Sequence, residues 1–281
     1  MKYSLILAFL LPGLLRAEIP PDEAEAIAMF EAAGARVTRN EAGHAVKLFW
    51  SVEEGFSVAD FQRIGELAKL TELRLNTPPA GDDEWDFLDD LPDLKVLTIW
   101  HAKAIRSLAP FSGLPIESLT VGGSMGLRDR NREMPEQFLD AVLTLDSLPN
   151  LTSANLYHSP LVCRDAHLEH LVTWFPNLVD VKIDVEAPRG FETEITPEGL
   201  AGLQALPVKV LSIENASSFS QAHVAAIAGI QTLEALLLDY RRRDFEAGPL
   251  VGEMKKLRPE VEVVVAEKGA KDPPRRAKIP K

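Results

Sequence analysis

The chain has 281 residues, 46% of them hydrophobic, and a single cysteine. Its formal charge is −12, from 42 acidic and 30 basic side chains. That balance disfavours nucleic acid, whose phosphates it repels, and one cysteine excludes an intramolecular disulfide framework.

In chain order, Met1–Ala17 reads as a secretory signal peptide. Lys2 supplies the positive start and Leu5–Leu15 the apolar run, broken by Pro12-Gly13. The run is too short to span a bilayer, and Ala17 suits a cleavage site. No cysteine stands beside it to take a lipid. The expectation is an exported protein, periplasmic or extracellular, without a transmembrane anchor. An exported chain that carries no disulfide fits a bacterial source.

Residues 18–50 are expected to form an N-terminal cap. Ile19–Gly34 is patterned as an amphipathic helix that follows Pro20-Pro21 and stops at Gly34. Arg36–Arg39 and Ala45–Trp50 then read as a β-hairpin around Asn40-Glu-Ala-Gly43. A stacked array needs such a cap, because its first unit otherwise exposes its core face.

Residues 51–265 repeat one phrase. Leu148-Pro-Asn-Leu-Thr-Ser-Ala-Asn-Leu156 is the fullest copy. Its apolar-x-apolar core recurs at Leu73/Leu75, Leu97/Ile99, Leu119/Val121, Ala154/Leu156, Val181/Ile183, Leu211/Ile213 and Leu236/Leu238. From Leu73 onward the intervals are 24, 22, 35, 27, 30 and 25 residues. Such a period marks a stacked array, and the alternation marks a short strand with one buried face. Helix starts lie between strands. Ser57-Val-Ala-Asp60 is a capping-box variant, Thr196-Pro197 places proline at a first helical position, and Ser220 precedes an Ala-rich stretch. Each unit is therefore expected to be a strand plus a helix.

On these residues, and above all on Leu156–Leu171 followed by Phe175-Pro-Asn-Leu178, the chain resembles leucine-rich repeat proteins, in particular secreted bacterial ones with convex-side helices. The resemblance implies an α/β solenoid: a curved parallel sheet on the concave face, helices on the convex face. It departs from the family signature. Where that signature has Asn or Cys after each strand, this chain has Pro78, Ala102, Ser124, Ser159, Glu186, Ala216 and Arg241. Only Leu161 falls in register at the next apolar place. The side-chain ladder of regular repeats is therefore expected to be mostly missing.

The interval of 35 residues carries the charged run Arg128-Asp-Arg-Asn-Arg-Glu133, expected to project as a loop, then a helix over Pro135–Leu145. Val261–Val265 reads as a closing strand. Residues 266–281 turn to Lys, Arg and Pro and read as a basic disordered tail. Without residues 1–17 the charge is −14, and the tail from Glu267 is +4, which leaves the folded body near −18.

Binding candidates follow from alternation along the strands. The outward lane after each buried pair reads Asn76, Trp100, Gly122, Tyr157, Asp184, Glu214, Asp239. Trp100 and Tyr157 flank Gly122, so two aromatics with a gap offer a grip for a peptide side chain or a sugar face. The alternative is a ring folded over its neighbour. His101 and His158 follow the aromatics directly. Asp184, Glu214 and Asp239 stack on successive rungs. They form either an acidic strip for a basic segment or a divalent cation, or a ladder neutralised by Lys182 or Arg241–Arg243.

Cys163, His167 and His170 are zinc-ligand types near His158, but the spacing is not that of a zinc finger. No metal and no cofactor is expected. No nucleophile elbow, phosphate loop or His-Glu-x-x-His pair is present, so no enzyme is expected. The expected function is macromolecular recognition by the concave face. The partner is a protein or peptide, with a basic segment as one option and an envelope polysaccharide as another. The second reading is a structural envelope protein held by its basic tail.

Overall fold

The structure is a computed structural model that describes residues 20–52, 55–123, 140–157, 161–185, 195–241 and 245–275. Among the described residues, ten strands form one sheet whose spatial order is the sequence order. β1 (Arg36–Arg39) pairs antiparallel with β2 (Ala45–Ser51), and every later pairing is parallel. The parallel run continues through β3 (Glu72–Asn76), β4 (Val96–Trp100), β5 (Ser118–Gly122), β6 (Ser153–Tyr157) and β7 (Asp180–Asp184). It ends with β8 (Val210–Glu214), β9 (Ala235–Asp239) and β10 (Glu262–Ala266). The register matches the repeat phrase, with Leu73, Leu97, Leu119, Ala154, Val181, Leu211 and Leu236 side by side.

Those residues and their partners two positions on are buried in one continuous core. The helical elements cover this side of the sheet. The later units use α-helices: α3 (Asp165–Trp174), α4 (Pro197–Gly202), α5 (Gln221–Ala228) and α6 (Gly248–Leu257). In their described residues, the earlier ones differ from the expected strand-plus-helix. After the short α2 (Val58–Gln62), units from β3 to β6 pass through 3-10 turns at Asp82–Glu84, Asp86–Asp90, Ala109–Phe111 and Ala141–Thr144. Local chemistry explains three of these. Asp side chains compete for nearby backbone groups and favour turns over helix interiors, and Pro110 permits only a helix start.

The cap forms as expected. α1 (Pro21–Ala32) buries Ala26, Ile27 and Phe30, one stripe at helical spacing, and Gly34 ends it at φ 78°. Glu23 is buried in the same stripe. Its carboxylate accepts from the Ala45 amide at 3.0 Å and meets His44 Nδ1 at 2.8 Å, which fastens α1 to the hairpin. Trp50 Nε1 donates to the Ala33 carbonyl at 3.3 Å. Rings then lead from cap to array: Phe30 on Trp50, Trp50 beside Phe61, Phe61 against Trp85 and Phe87, Trp85 against Phe111.

The departure from the family signature has a structural answer. Among the described residues, the amide that follows a strand donates to the last carbonyl of the next strand. Thr77 reaches Trp100, His101 reaches Gly122, Gly123 reaches Tyr157 and Asn215 reaches Asp239, at 2.8–3.2 Å. All four donor residues adopt positive φ, between 54° and 60°. The side chains of Thr77, His101 and Asn215 reach back one rung. Thr77 Oγ1 donates to the Val52 carbonyl, His101 Nδ1 meets Asn76 Oδ1 at 2.6 Å, and Asn215 Nδ2 donates to Asp184 Oδ1 at 2.9 Å. The ladder thus exists one position earlier than the signature predicts. At the signature place, Pro78, Ala102 and Ala216 are simply buried. Ser124, Ser159 and Glu186 lie outside the described residues.

β10 begins one residue later than expected and includes Ala266, which belongs to the array and not to the tail. Lys268 and Gly269 form a turn closed by Ala270 N donating to the Glu267 carbonyl at 3.0 Å, and Gly269 N donates to the Arg241 carbonyl at 3.4 Å. Among the described residues no helix is long and apolar enough to cross a membrane. The signal-peptide segment 1–17, the loop 128–133, the start of the helix expected over 135–145 and residues 276–281 lie outside the described residues.

Candidate functional site

The face of the sheet opposite the helices carries the outward lanes. Alternation puts Phe49, Arg74, Thr98, Thr120, Asn155 and Lys182 in one lane, in register from β2 to β7. Asn76, Trp100, Gly122 and Tyr157 follow in the next lane, also in register.

Trp100 and Tyr157 meet over Gly122. Trp100 Nε1 donates to Tyr157 Oη at 2.8 Å. A Cβ at Gly122 would stand 3.0 Å from Trp100 Cδ1 and 3.1 Å from Tyr157 Cζ. Glycine there is what lets the rings close. The gap expected from the sequence is therefore not a slot: the rings fill it. Both remain half-buried and form a fixed plate on the open face. The plate is held at both ends. Phe49 sets its ring edge-on to Trp100 with centroids 6.2 Å apart, and Lys182 Nζ lies 4.1 Å over the Tyr157 ring. Arg36, across from Phe49 on β1, lies 4.3 Å over the Phe49 ring.

The acidic rungs require a correction. Asp184, Glu214 and Asp239 are 6%, 2% and 6% exposed, so they are not a solvent-facing strip. Neighbouring strands lie about 4.8 Å apart, and like charges at that spacing need neutralising. The protein does this internally. Lys182 Nζ stands 2.8 Å from Glu214 Oε1. Arg241 donates Nε and Nη2 to the Asp239 carboxylate at 2.8–3.0 Å, and that bonding raises the guanidinium pKa further. Asp184 accepts from Asn215. Lys182 therefore has two tasks, as counter-ion of Glu214 and as the cation on Tyr157.

His101 anchors the ladder through Asn76, whose Nδ2 donates on to Ser51 Oγ at 3.0 Å. His158 lies outside the described residues. The other zinc-ligand types have structural partners. His167 is fully buried: its Nδ1 accepts from the Cys163 amide at 3.2 Å and its Nε2 meets Asp140 Oδ1 at 3.1 Å. His170 Nε2 donates to the Leu145 carbonyl at 2.8 Å. Among the described residues, no three His, Cys, Asp or Glu side chains converge as a metal site.

His167 gives a pH prediction. Burial pushes its pKa below the ordinary value, more than the Asp140 bond raises it, with Arg164 and His170 adding to the depression. A folded pKa below the unfolded one, about 6.5, means stability is complete above that pH and is lost as pH falls through the folded value. The slope is at most about 1.4 kcal/mol per pH unit for one proton. Thermal melts from pH 8 to 5 should show it. His167→Gln, which keeps an acceptor and a donor, should flatten the acid limb relative to the unsubstituted protein; an unchanged slope would assign the loss to other groups.

Sequential parallel strands, a repeat of strand-buried leucines and helices on one side define an α/β leucine-rich repeat solenoid. No family model and no curated protein matches the chain. Among solved structures it is similar to LegL7, a leucine-rich repeat-containing protein from Legionella pneumophila, at 13% identity and a TM-score of 0.34. The match covers 88% of this chain and 97% of LegL7. The fold assignment rests on the register and the core, not on that likeness.

Proposed function

We propose that this is an exported recognition protein, of the secreted bacterial leucine-rich repeat type, that binds another macromolecule on the open face of its sheet. The observation that carries this is the Trp100–Tyr157 plate. Two large amphipathic rings stand half-exposed, mutually hydrogen-bonded and locked by Phe49 and Lys182. Aromatic side chains held in place before binding lose little entropy on contact, and such residues dominate interface energetics. A solenoid supplies the rigid extended surface that sets them in line. The apolar run at Met1–Ala17 supports export. Recognition, not catalysis, is the reading, since the polar groups around the plate are tied into structural bonds.

The test is affinity capture from native envelope and culture medium with a Trp100→Ala/Tyr157→Ala control. The expected result is a partner retained by the unsubstituted protein and lost, by tenfold or more, from a double variant that still folds. Equal retention by both proteins would move the binding surface elsewhere. The second reading, a structural envelope protein held by its basic tail, predicts salt-sensitive retention on envelopes that disappears when residues 267–281 are removed.

A further inference from the structure

The charge of the open face does not follow the charge of the molecule. The chain is strongly acidic overall, at −12. Yet among the described residues, the open face of β1–β6 holds three cations, Arg36, Lys47 and Arg74, against one carboxylate, Glu72. Glu72 sits between Lys47 and Arg74, and its pKa is lowered chiefly by the Lys47 hydrogen bond. One carboxylate neutralises one of the three cations. The Lys47 and Arg74 side chains stay 55% and 44% exposed, and Arg36 is exposed as well. The carboxylates that the sequence suggested as the charge-selecting element are buried and paired at β7–β9. Among the described residues of β1–β6, what the face presents beside the aromatic plate is therefore positive; Asp180, on the same face at β7, is half-buried beside Lys182, and burial raises its pKa.

The rings also bear on the kind of partner. A sugar binds aromatic residues by lying flat on a ring face. Here one face of Phe49 carries the Arg36 guanidinium and one face of Tyr157 carries the Lys182 ammonium. Stacking there must displace a cation from a favourable seat. A guanidinium held over a ring still points N–H groups outward, and these suit a carboxylate.

We propose that the open face docks an extended protein segment with an acidic end. This rests on the reading of the open face as the binding surface and fixes the sign of its partner. Acidic residues lie against Arg36 and Arg74, and an apolar side chain lies against Trp100 and Tyr157. From the Arg74 rung to the Tyr157 rung are three strand spacings, about 14 Å. An extended chain covers that in about four residues at about 3.3 Å each. Arg36 reaches over Phe49, whose strand neighbours that of Arg74, so the two cations stand about one strand spacing, about 4.8 Å, apart and two adjacent acidic residues serve both. The segment therefore reads as two acidic residues followed, about four positions later, by an apolar one.

The test uses the full chain and labelled peptides. Glu-Glu-Ser-Thr-Ser-Leu-Ser is compared with its Lys-Lys counterpart, its Ser-Ser counterpart and an oligogalacturonate. The expected result is preferential binding of the Glu-Glu peptide, despite the acidic body, weakening as salt rises. Arg36→Glu/Arg74→Glu should weaken it by about tenfold or more and gain binding of the Lys-Lys peptide. The gain separates charge reading from a loss of folding. Equal or tighter binding of the Lys-Lys peptide by the unsubstituted protein overturns the proposal, and so does binding of oligogalacturonate alone. If native capture depends on Trp100 and Tyr157 but the captured segment is basic, the sign is wrong and the binding face stands. If capture ignores the plate, the reading beneath the proposal fails first.

Discussion

Phe61→Ala is expected to lower stability by about 3–5 kcal/mol, the largest effect of any substitution considered. Phe61 is fully buried. Its ring stacks beside Trp50 at 6.3 Å and meets Trp85 at 5.5 Å and Phe87 at 5.2 Å, both edge-on. Trp50 belongs to the cap, and Trp85 and Phe87 belong to the connection between β3 and β4. The ring is thus the joint between cap and array. Truncation removes transfer free energy, leaves a cavity among rigid rings that collapse poorly, and forfeits edge-to-face pairs worth about 0.5–1.5 kcal/mol each. Solenoid units feel mainly their neighbours, so the loss should be local. Hydrogen exchange should quicken in α1 and β2 well before β8 and β9 respond. A loss below about 1 kcal/mol, or one spread evenly over the array, would show that cap and array are not joined through this ring.

Gly199→Ala is expected to destabilise by roughly 2–4 kcal/mol, although Gly to Ala inside a helix ordinarily stabilises by about 0.5–1 kcal/mol. The reason is a latch between units. Asp165, at the start of α3, accepts from Thr196 N at 2.8 Å and from Thr196 Oγ1 at 2.7 Å. Thr196 Oγ1 in turn accepts from Gly199 N at 3.1 Å, capping α4. A Cβ at Gly199 would lie 1.9 Å from Asp165 Oδ1 and 2.3 Å from its Cγ. Alanine there expels the carboxylate, and two charge-assisted bonds and the helix junction go with it. Asp165→Gly loses the same bonds without a collision. In an Asp165→Gly background, which also removes the Asp165 Cβ that would stand 3.0 Å away, Gly199→Ala should therefore turn neutral or stabilising. A double-mutant cycle on denaturant melts reads that sign change directly. Additive losses would mean that the carboxylate is not what the methyl displaces.

The candidate site shows how residue types and residue partners separate. The lanes could be written from the sequence because alternation and repeat length fix which residues stand side by side, and Trp100, Gly122 and Tyr157 do stand in one lane. What each lane member touches could not. The sequence left open whether the aromatics leave a gap or close, and whether the acids face water or counter-ions. Both resolved inward. Gly122 was the available signal for closure, since a residue without a Cβ between two rings permits contact. The back-reaching Thr77, His101 and Asn215 had no such signal, because their role depends on a left-handed backbone after each strand. The cationic corner was missed for a different reason. Arg36 lies in the cap hairpin and Arg74 in the first repeat, and only the register of that hairpin, which sets Arg36 against Phe49, puts them on one face.

Periodicity determined the solenoid by itself. A leucine phrase recurring every two to three dozen residues has no way to bury its apolar side except by stacking, so strand number, order and register were all implied in the chain. The cap was legible too, because a terminal unit must be covered. The tertiary structure alone decided the electrostatics of the face. Charge at a surface depends on which side chains pair across strands, and pairing is set by distances of a few ångströms that no one-dimensional pattern contains. An acidic sequence has thereby folded so that three of its carboxylates are consumed at one end and three of its cations, Arg36, Lys47 and Arg74, stand toward the rings at the other.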